Sequence, residues 1–256
     1  MSASPQLQAA EDFPSGESER VALRTLSVLI PVFNERDTVA QLIEQVAAVS
    51  IDLELEIVVV DDGSTDSSWN LLCEAADKYA NVKVFRHDRN QGKGAAVRTA
   101  IAKATGDVAV IQDADLEYDP ADYNRLLAPI LSGEADAVYG SRFAAGAQRK
   151  ITRWQRAGNR VLTGFSNLVN RQKLTDMETC YKMIRMDLLR NLRLRSNSFT
   201  LEPEITARLA QCGAAIREVP ISYRGRTYGE GKKIGFVDVL KACGEIVRSG
   251  IWDRQS

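Results

Sequence analysis

The chain has 256 residues, 45% of them hydrophobic and 26% charged, enough to bury one core of a globular domain. No apolar run reaches the roughly 18 residues of a membrane span, and Met1 to Arg24 has neither the basic start nor the apolar stretch of a signal peptide, so this segment reads as a disordered tail and nothing is expected to cross a bilayer. The net charge of −1 conceals a split: residues 1–136 carry 11 basic against 24 acidic side chains, and residues 137–256 carry 22 against 10.

Between Asp136 and Asp176 there are eight basic residues and no acidic one, a balance suited to phosphates or an anionic surface. Cys73, Cys180, Cys212 and Cys243 form no CxxC pair, so they read as reduced thiols in a cytoplasmic protein. His87 is the only histidine, which argues against histidine triads and multi-histidine metal sites.

In chain order, Leu26 to Phe33 is an apolar strand candidate, followed by a helical stripe of Val39, Leu42, Ile43 and Val46. Glu54 to Val60 is a β-branched run of the kind buried in parallel sheets. It ends at Asp61-Asp62-Gly63-Ser64, where Asp66 can cap a helix carrying Leu71 and Leu72. A strand at Val82–Phe85, a helix from Gly94 to Ala104 and a strand at Val108–Ile111 complete the first half. This alternation predicts a single α/β domain, with a Rossmann-like, mostly parallel sheet and helices on both faces. Ligands of such sheets bind at the carboxyl ends of the strands, which here are Pro31 to Glu35, Asp61-Asp62 and Asp113-Ala114-Asp115. The second half reads as a strand at 135–139, a basic helix at 154–170, a helix at 199–211 and a strand at 216–223. A glycine-rich basic loop and a final helix at 237–251 follow.

Two carboxylates separated by one small residue, as in Asp113-Ala114-Asp115, can serve a hard divalent cation such as Mg²⁺ or Mn²⁺, with Glu117 as a third ligand. The competing reading is that Asp115 caps the next segment. Gly92-Lys93-Gly94 permits either close approach of a phosphate, with Lys93 adding charge, or a tight turn with close helix packing. Acidic strand ends make a poor groove for nucleic acid.

Pro31 to Glu35, Asp61 to Asp66, Asn90 to Gly94 and Asp113 to Asp115, in that order, resemble family 2 glycosyltransferases of the GT-A fold. Gly140-Ser141-Arg142, Asp176-Met177-Glu178-Thr179 and Arg226 to Lys232 resemble the dolichyl- and polyprenyl-phosphate mannose synthase branch. The resemblance implies a catalytic domain over 25–235, with a nucleotide-sugar half at 25–136, an acceptor half at 137–235 and an amphipathic helix within 236–256. It implies that Pro31, Phe33, Glu35, Val60 and Asp62 line the nucleoside pocket and that Asp113, Ala114 and Asp115 hold the sugar-diphosphate and metal. Arg142, Arg226 and Lys232 are expected to contact phosphates. Glu117 stands where that branch usually has glutamine.

The implied reaction is inverting transfer of a hexose from a GDP-mannose- or UDP-glucose-type donor to a polyprenyl phosphate, with Asp115, Arg142 and Asp176 in the catalytic set. A phosphate acceptor needs no general base; an alcohol acceptor, soluble or polysaccharide, does, and Asp176 or Glu178 is then the candidate. A nucleotide-binding regulatory module without turnover is the alternative of another class. The basic second half and the partial apolar stripe of the last helix, which carries Lys241 and Arg248, suggest peripheral contact with the cytosolic face of an anionic membrane.

Overall fold

The structure, a computed structural model, describes residues 23–151, 153–225 and 236–251. The first half alternates as expected: β1 (Thr25–Val32), α1 (Val39–Ala47), β2 (Glu54–Asp61), α2 (Ser68–Lys78), β3 (Val82–Arg86), α3 (Lys93–Lys103) and β4 (Val108–Ile111). Ile57 to Val60 are fully buried, because both faces of a parallel strand are covered by helices. Helix α1 buries the stripe of Val39, Leu42, Ile43 and Val46. Asp66 accepts hydrogen bonds from the backbone N–H groups of Ser68 and Arg36, so it closes the start of α2 and ties it to the β1–α1 loop.

The second half runs through α4 (Tyr123–Leu131), β5 (Ala137–Ser141), β6 (Gln148–Lys150), α5 (Arg153–Asn170), β7 (Lys182–Arg185), α6 (Met186–Asn191), α7 (Leu201–Gln211), β8 (Ile216–Pro220), β9 (Ser222–Arg224) and α8 (Phe236–Ile251). The main sheet has the order β3-β2-β1-β4-β7-β5-β8, and β7 is its only antiparallel member. Sequence analysis assigns no element to β7, because Lys182 interrupts its apolar run. That lysine is buried, with its ammonium donating to the carbonyls of Met177 and Thr179. The strand expected over 216–223 divides at Ile221, its last part pairing with β6 in a separate two-stranded ribbon.

Of the last helix, expected to lie at an interface, the side chains of residues 237–241 and Ile251 fall outside the described residues. Helix α8 packs on α5 and α7, with Ile246 and Ser249 fully buried. At Gly250 an added Cβ would lie 2.4 Å from Val169 Cγ1, so the two helices touch through the glycine. Among the described residues no helix is long and apolar enough to cross a membrane.

Glu56 pins the amino-terminal edge of the sheet. Its buried carboxylate accepts from Ser27 on β1, Lys83 on β3, and the backbone and hydroxyl of Thr105 before β4, all at 2.5–2.7 Å. Burial alone would raise its pKa, but these donors outweigh it and bring it down to about 2. The folded value lies below the unfolded one, so the contribution is complete above pH 4.5 and disappears as pH falls to about 2. Glu56→Gln is expected to lose about 2–3 kcal/mol in urea unfolding at neutral pH, and the deficit should shrink steadily in acid.

Candidate active site

The chain runs outward from β1 to β3 and returns to β4 on the other side of β1, so the topological switch point lies between the carboxyl ends of β1 and β4. Phe33, at the end of β1, is 44% exposed there, with Pro31 and Glu35 half-buried beside it. Asn34 adopts φ +56°, a left-handed turn secured by the Ser64 hydroxyl on its N–H and by its own Oδ1 on Thr65 N–H. The Glu35 carboxylate accepts from the Thr38 hydroxyl at 2.8 Å. Val60 is fully buried inside β2.

Asp61 and Asp62 both turn inward. Asp61 lies 3.0 Å from Arg86 Nε and accepts from Ser64 N–H. Asp62 accepts from His87 Nδ1 at 2.7 Å and from the N–H groups of Gln91 and Gly92, which fixes the loop leading to α3. The resemblance implies a nucleoside contact for Asp62; in the structure its side chain is 2% exposed and holds this loop.

The glycines flanking Lys93 have a packing reason. Cβ atoms on Gly92 and Gly94 would stand 2.1 and 2.2 Å from the carbonyl oxygens of Asn197 and Ser196. The segment before α7 therefore presses directly on the start of α3, and Asn197 accepts from Gly94 N–H. Of the two readings of this motif, close packing accounts for both glycines. Lys93 lies between two acids, 2.8 Å from Asp113 Oδ1 and 2.8 Å from Glu202 Oε1. Burial opposes its charge, but Asp113 and Glu202 raise its pKa well above the ordinary lysine value.

Asp113, Ala114 and Asp115 follow β4. Asp113 and Asp115 are half-buried, and Ala114 is buried. Asp115 accepts from Glu117 N–H across Leu116, which has φ +58°, so the capping role and a strained turn coincide. Glu117 receives the Tyr223 hydroxyl, and among the described residues it joins no group of three metal-ligating side chains. Asp113 and Asp115 supply hard oxygen donors of the kind that would suit a divalent cation such as Mg²⁺ or Mn²⁺. Behind them the buried Gln112 accepts the hydroxyls of Tyr123 and Tyr181 and donates to the Asp113 carbonyl, which locks the strand end.

Arg142, just past β5, is bound by Asp176 through its backbone N–H at 2.9 Å, Nε at 2.7 Å and Nη2 at 2.8 Å. Its guanidinium lies 5.1 Å from the Tyr223 ring centroid, which places it against the same tyrosine that bonds Glu117. Asp176 is fully buried with both oxygens on Arg142, whose guanidinium it holds in place. Glu178, the other base candidate, keeps a buried Oε1 without a hydrogen-bond partner. Burial, then the nearby Glu202 charge, raise its pKa to about 7, while burial lowers that of Lys182. Arg226 and Lys232 lie outside the described residues. The residues not legible in the sequence are Gln112, Tyr181, Tyr223 and Glu202. Glu202 alone had a local signal, as an acid in the first turn of a helix.

A half-exposed aromatic and a paired-aspartate strand end meet at the switch point of a mostly parallel sheet, the place where α/β proteins of this class bind their ligands. The model of "Glycosyl transferase family 2" matches residues 27–193, and the chain belongs to that family. It is 30% identical over 215 residues to a dolichol-phosphate mannosyltransferase of Pyrococcus furiosus, covering 82% of this chain and 59% of that one. The chain therefore spans about three fifths of the length of that relative. Among solved structures, glucosyl-3-phosphoglycerate synthase from Mycobacterium tuberculosis in complex with UDP superposes with a TM-score of 0.67 at 20% identity, over 88% of this chain and 80% of that one. The same enzyme with Mn²⁺, UDP-glucose and phosphoglyceric acid gives 0.67 at 22% identity, over 88% and 79%. These structures share the fold, with a mostly parallel sheet flanked by helices.

The environment of Glu178 sets a pH dependence. Its folded pKa of about 7 lies above the unfolded 4.5, so the fold binds the proton more tightly and loses stability as pH rises through that window. Glu178→Gln should match the parent near pH 4.5 and exceed it by about 1–3 kcal/mol near pH 8, measured by urea unfolding at both values.

Proposed function

We propose that the protein is an inverting glycosyltransferase that moves a hexose from a nucleoside-diphosphate donor to a polyprenyl phosphate. One observation carries the reading: at the doubly acidic end of β4, Lys93 joins Asp113 to the buried Glu202, and Arg142, held by the buried Asp176, lies against the Tyr223 that bonds Glu117. Phe33 offers an exposed ring for the nucleobase, with Pro31 and Glu35 beside it and Val60 and Asp62 shaping the wall behind. Asp113 and Asp115 would hold the divalent metal, which when bound neutralises charge on the leaving diphosphate. Arg142, held planar and rigid, suits a phosphate oxygen of the acceptor. The acceptor oxygen forms the new bond at the anomeric carbon as the bond to the diphosphate breaks, and an anionic phosphate oxygen has no proton to surrender. The dolichol-phosphate relative supports this acceptor, and the protein would then work on the cytosolic face of a membrane.

A second reading, transfer to a small soluble alcohol, is favoured by Glu178, whose pKa near neutrality suits a general base. The solved complexes with phosphoglyceric acid belong to an enzyme named for such an acceptor.

Purified protein, Mn²⁺ and labelled GDP-mannose or UDP-glucose are to be incubated with a short-chain polyprenyl phosphate, the matching free alcohol, or 3-phosphoglycerate. The phosphate alone should give an organic-extractable sugar-lipid, and Glu178→Gln should leave that transfer intact. Equal use of the alcohol, or loss of all activity in Glu178→Gln, would favour the soluble acceptor. Asp115→Asn should lower turnover by about 100-fold or more while the protein stays folded, and excess EDTA should do the same.

A further inference from the structure

Helix α5 packs Phe165 and Val169 partly against the core, yet most of its fully buried positions are polar. Its buried positions are Asn159, Leu162, Thr163, Ser166 and Asn170, and all but Leu162 are polar. They face inward because they bind backbone and one another: Asn159 donates to the Thr175 carbonyl, Thr163 accepts from Met177 N–H, and Asn170 donates to Ser166. The opposite stripe, Ala157, Val161, Gly164 and Leu168, follows helical spacing and is exposed, Val161 at 67% and Leu168 at 78%. An added Cβ on Gly164 would meet nothing within 4 Å, so no internal packing requires that glycine. An ordinary surface helix in water shows the reverse arrangement.

We propose that this outer face of α5 docks the protein on the headgroup–acyl boundary of an anionic membrane. Charge selects the occupant. Arg156, Arg160, Arg171 and Lys173 are exposed on or just after the helix, and residues 137–175 contain no acid. A second copy packed through this face by two-fold symmetry would bring these cations together, whereas an anionic lipid surface attracts them while the apolar stripe enters the boundary. The inner face of the same helix holds residues 174–177 and with them Asp176, the anchor of Arg142. The docking surface and the cation assigned to the acceptor are thus two sides of one element. This proposal deepens the lipid-phosphate reading, and it can be measured without donor or acceptor.

The full chain is to be sedimented with vesicles of phosphatidylcholine alone and of equimolar phosphatidylcholine and phosphatidylglycerol. Binding is expected to the mixed vesicles only, and to weaken as salt rises. The double variant Val161→Glu, Leu168→Glu should lower partitioning by about 10-fold or more, with an unchanged circular dichroism spectrum and unchanged transfer to a short-chain acceptor in solution. Absence of parental binding, or equal binding by the folded variant, overturns the proposal. So does a parental dimer that the same substitutions dissociate, which would make a second copy the occupant. If vesicle binding follows the expected pattern but no polyprenyl phosphate is glycosylated, the docking surface stands and the acceptor assignment falls.

Discussion

Carboxylates crowd the place where β1, β2 and β4 end, and the rest of the site answers their mutual repulsion. Asp61, Asp62, Asp113, Asp115 and Glu117 follow strands whose parallel register brings them to one edge of the sheet. Like charges this close in a half-buried setting would force protonation or pull the loops apart unless compensated. Each carboxylate on Asp61, Asp62, Asp113 and Glu117 has a separate restraint: Arg86, His87 with two backbone amides, Lys93, and the Tyr223 hydroxyl. The restraints come from different elements, so the electrostatic solution is also what holds the β3–α3 loop, the start of α3 and the β9 ribbon against the end of β4.

The same logic separates the acids by role. A carboxylate with both oxygens on one guanidinium, as in Asp176, is held in place by it and orients that cation in turn. Glu178, two residues on, has its pKa raised to about 7 by burial and by the nearby Glu202 charge. Two acids in one short segment thus differ through their neighbours alone. Lys93 shows how charge is shared across the core: a single ammonium serves Asp113 at the surface and Glu202 beneath it, so α7 reports on the position of the paired-aspartate loop.

The first half of the fold was legible because its signals are local. Unbroken β-branched strands, a four-residue stripe on α1 and the inward role of Asp66 at the start of α2 each concern residues close in sequence. The acidic strand ends were legible for the same reason. The second half depends on distant partners. Lys182 hides β7 because its ammonium is satisfied by carbonyls of the preceding loop, which no window of hydropathy shows. Helix α4, with Pro129 inside it, buries Tyr123, Leu126, Leu127 and Ile130 against strands that are distant in sequence. Arg142 pairs with an acid 34 residues on, and Gly92 and Gly94 are small because a segment about a hundred residues away lies against them. Pattern can nominate such residues, but only the folded chain shows what they touch. The last helix is the converse case: its apolar stripe was visible, and its partners, α5 and α7, were not.

That exchange of faces between α8 and α5 bears on how the acceptor half is built. Helix α8 buries Ala242 and Ile246, so its apolar surface contributes to the core. Helix α5 packs Leu162, Phe165 and Val169 on the core and also binds the backbone of residues 174–177 with amide and hydroxyl side chains. A buried polar face is costly unless each group finds a partner, and it gives directional hold in return. The segment it grips is the one that presents Asp176 to Arg142, where a small displacement would break a bidentate contact. Directional hydrogen bonds fix such a segment better than apolar packing, which tolerates sliding. The polar inner positions of α5 thus serve to fix one cation, while Val161 and Leu168 lie on the opposite, outer surface.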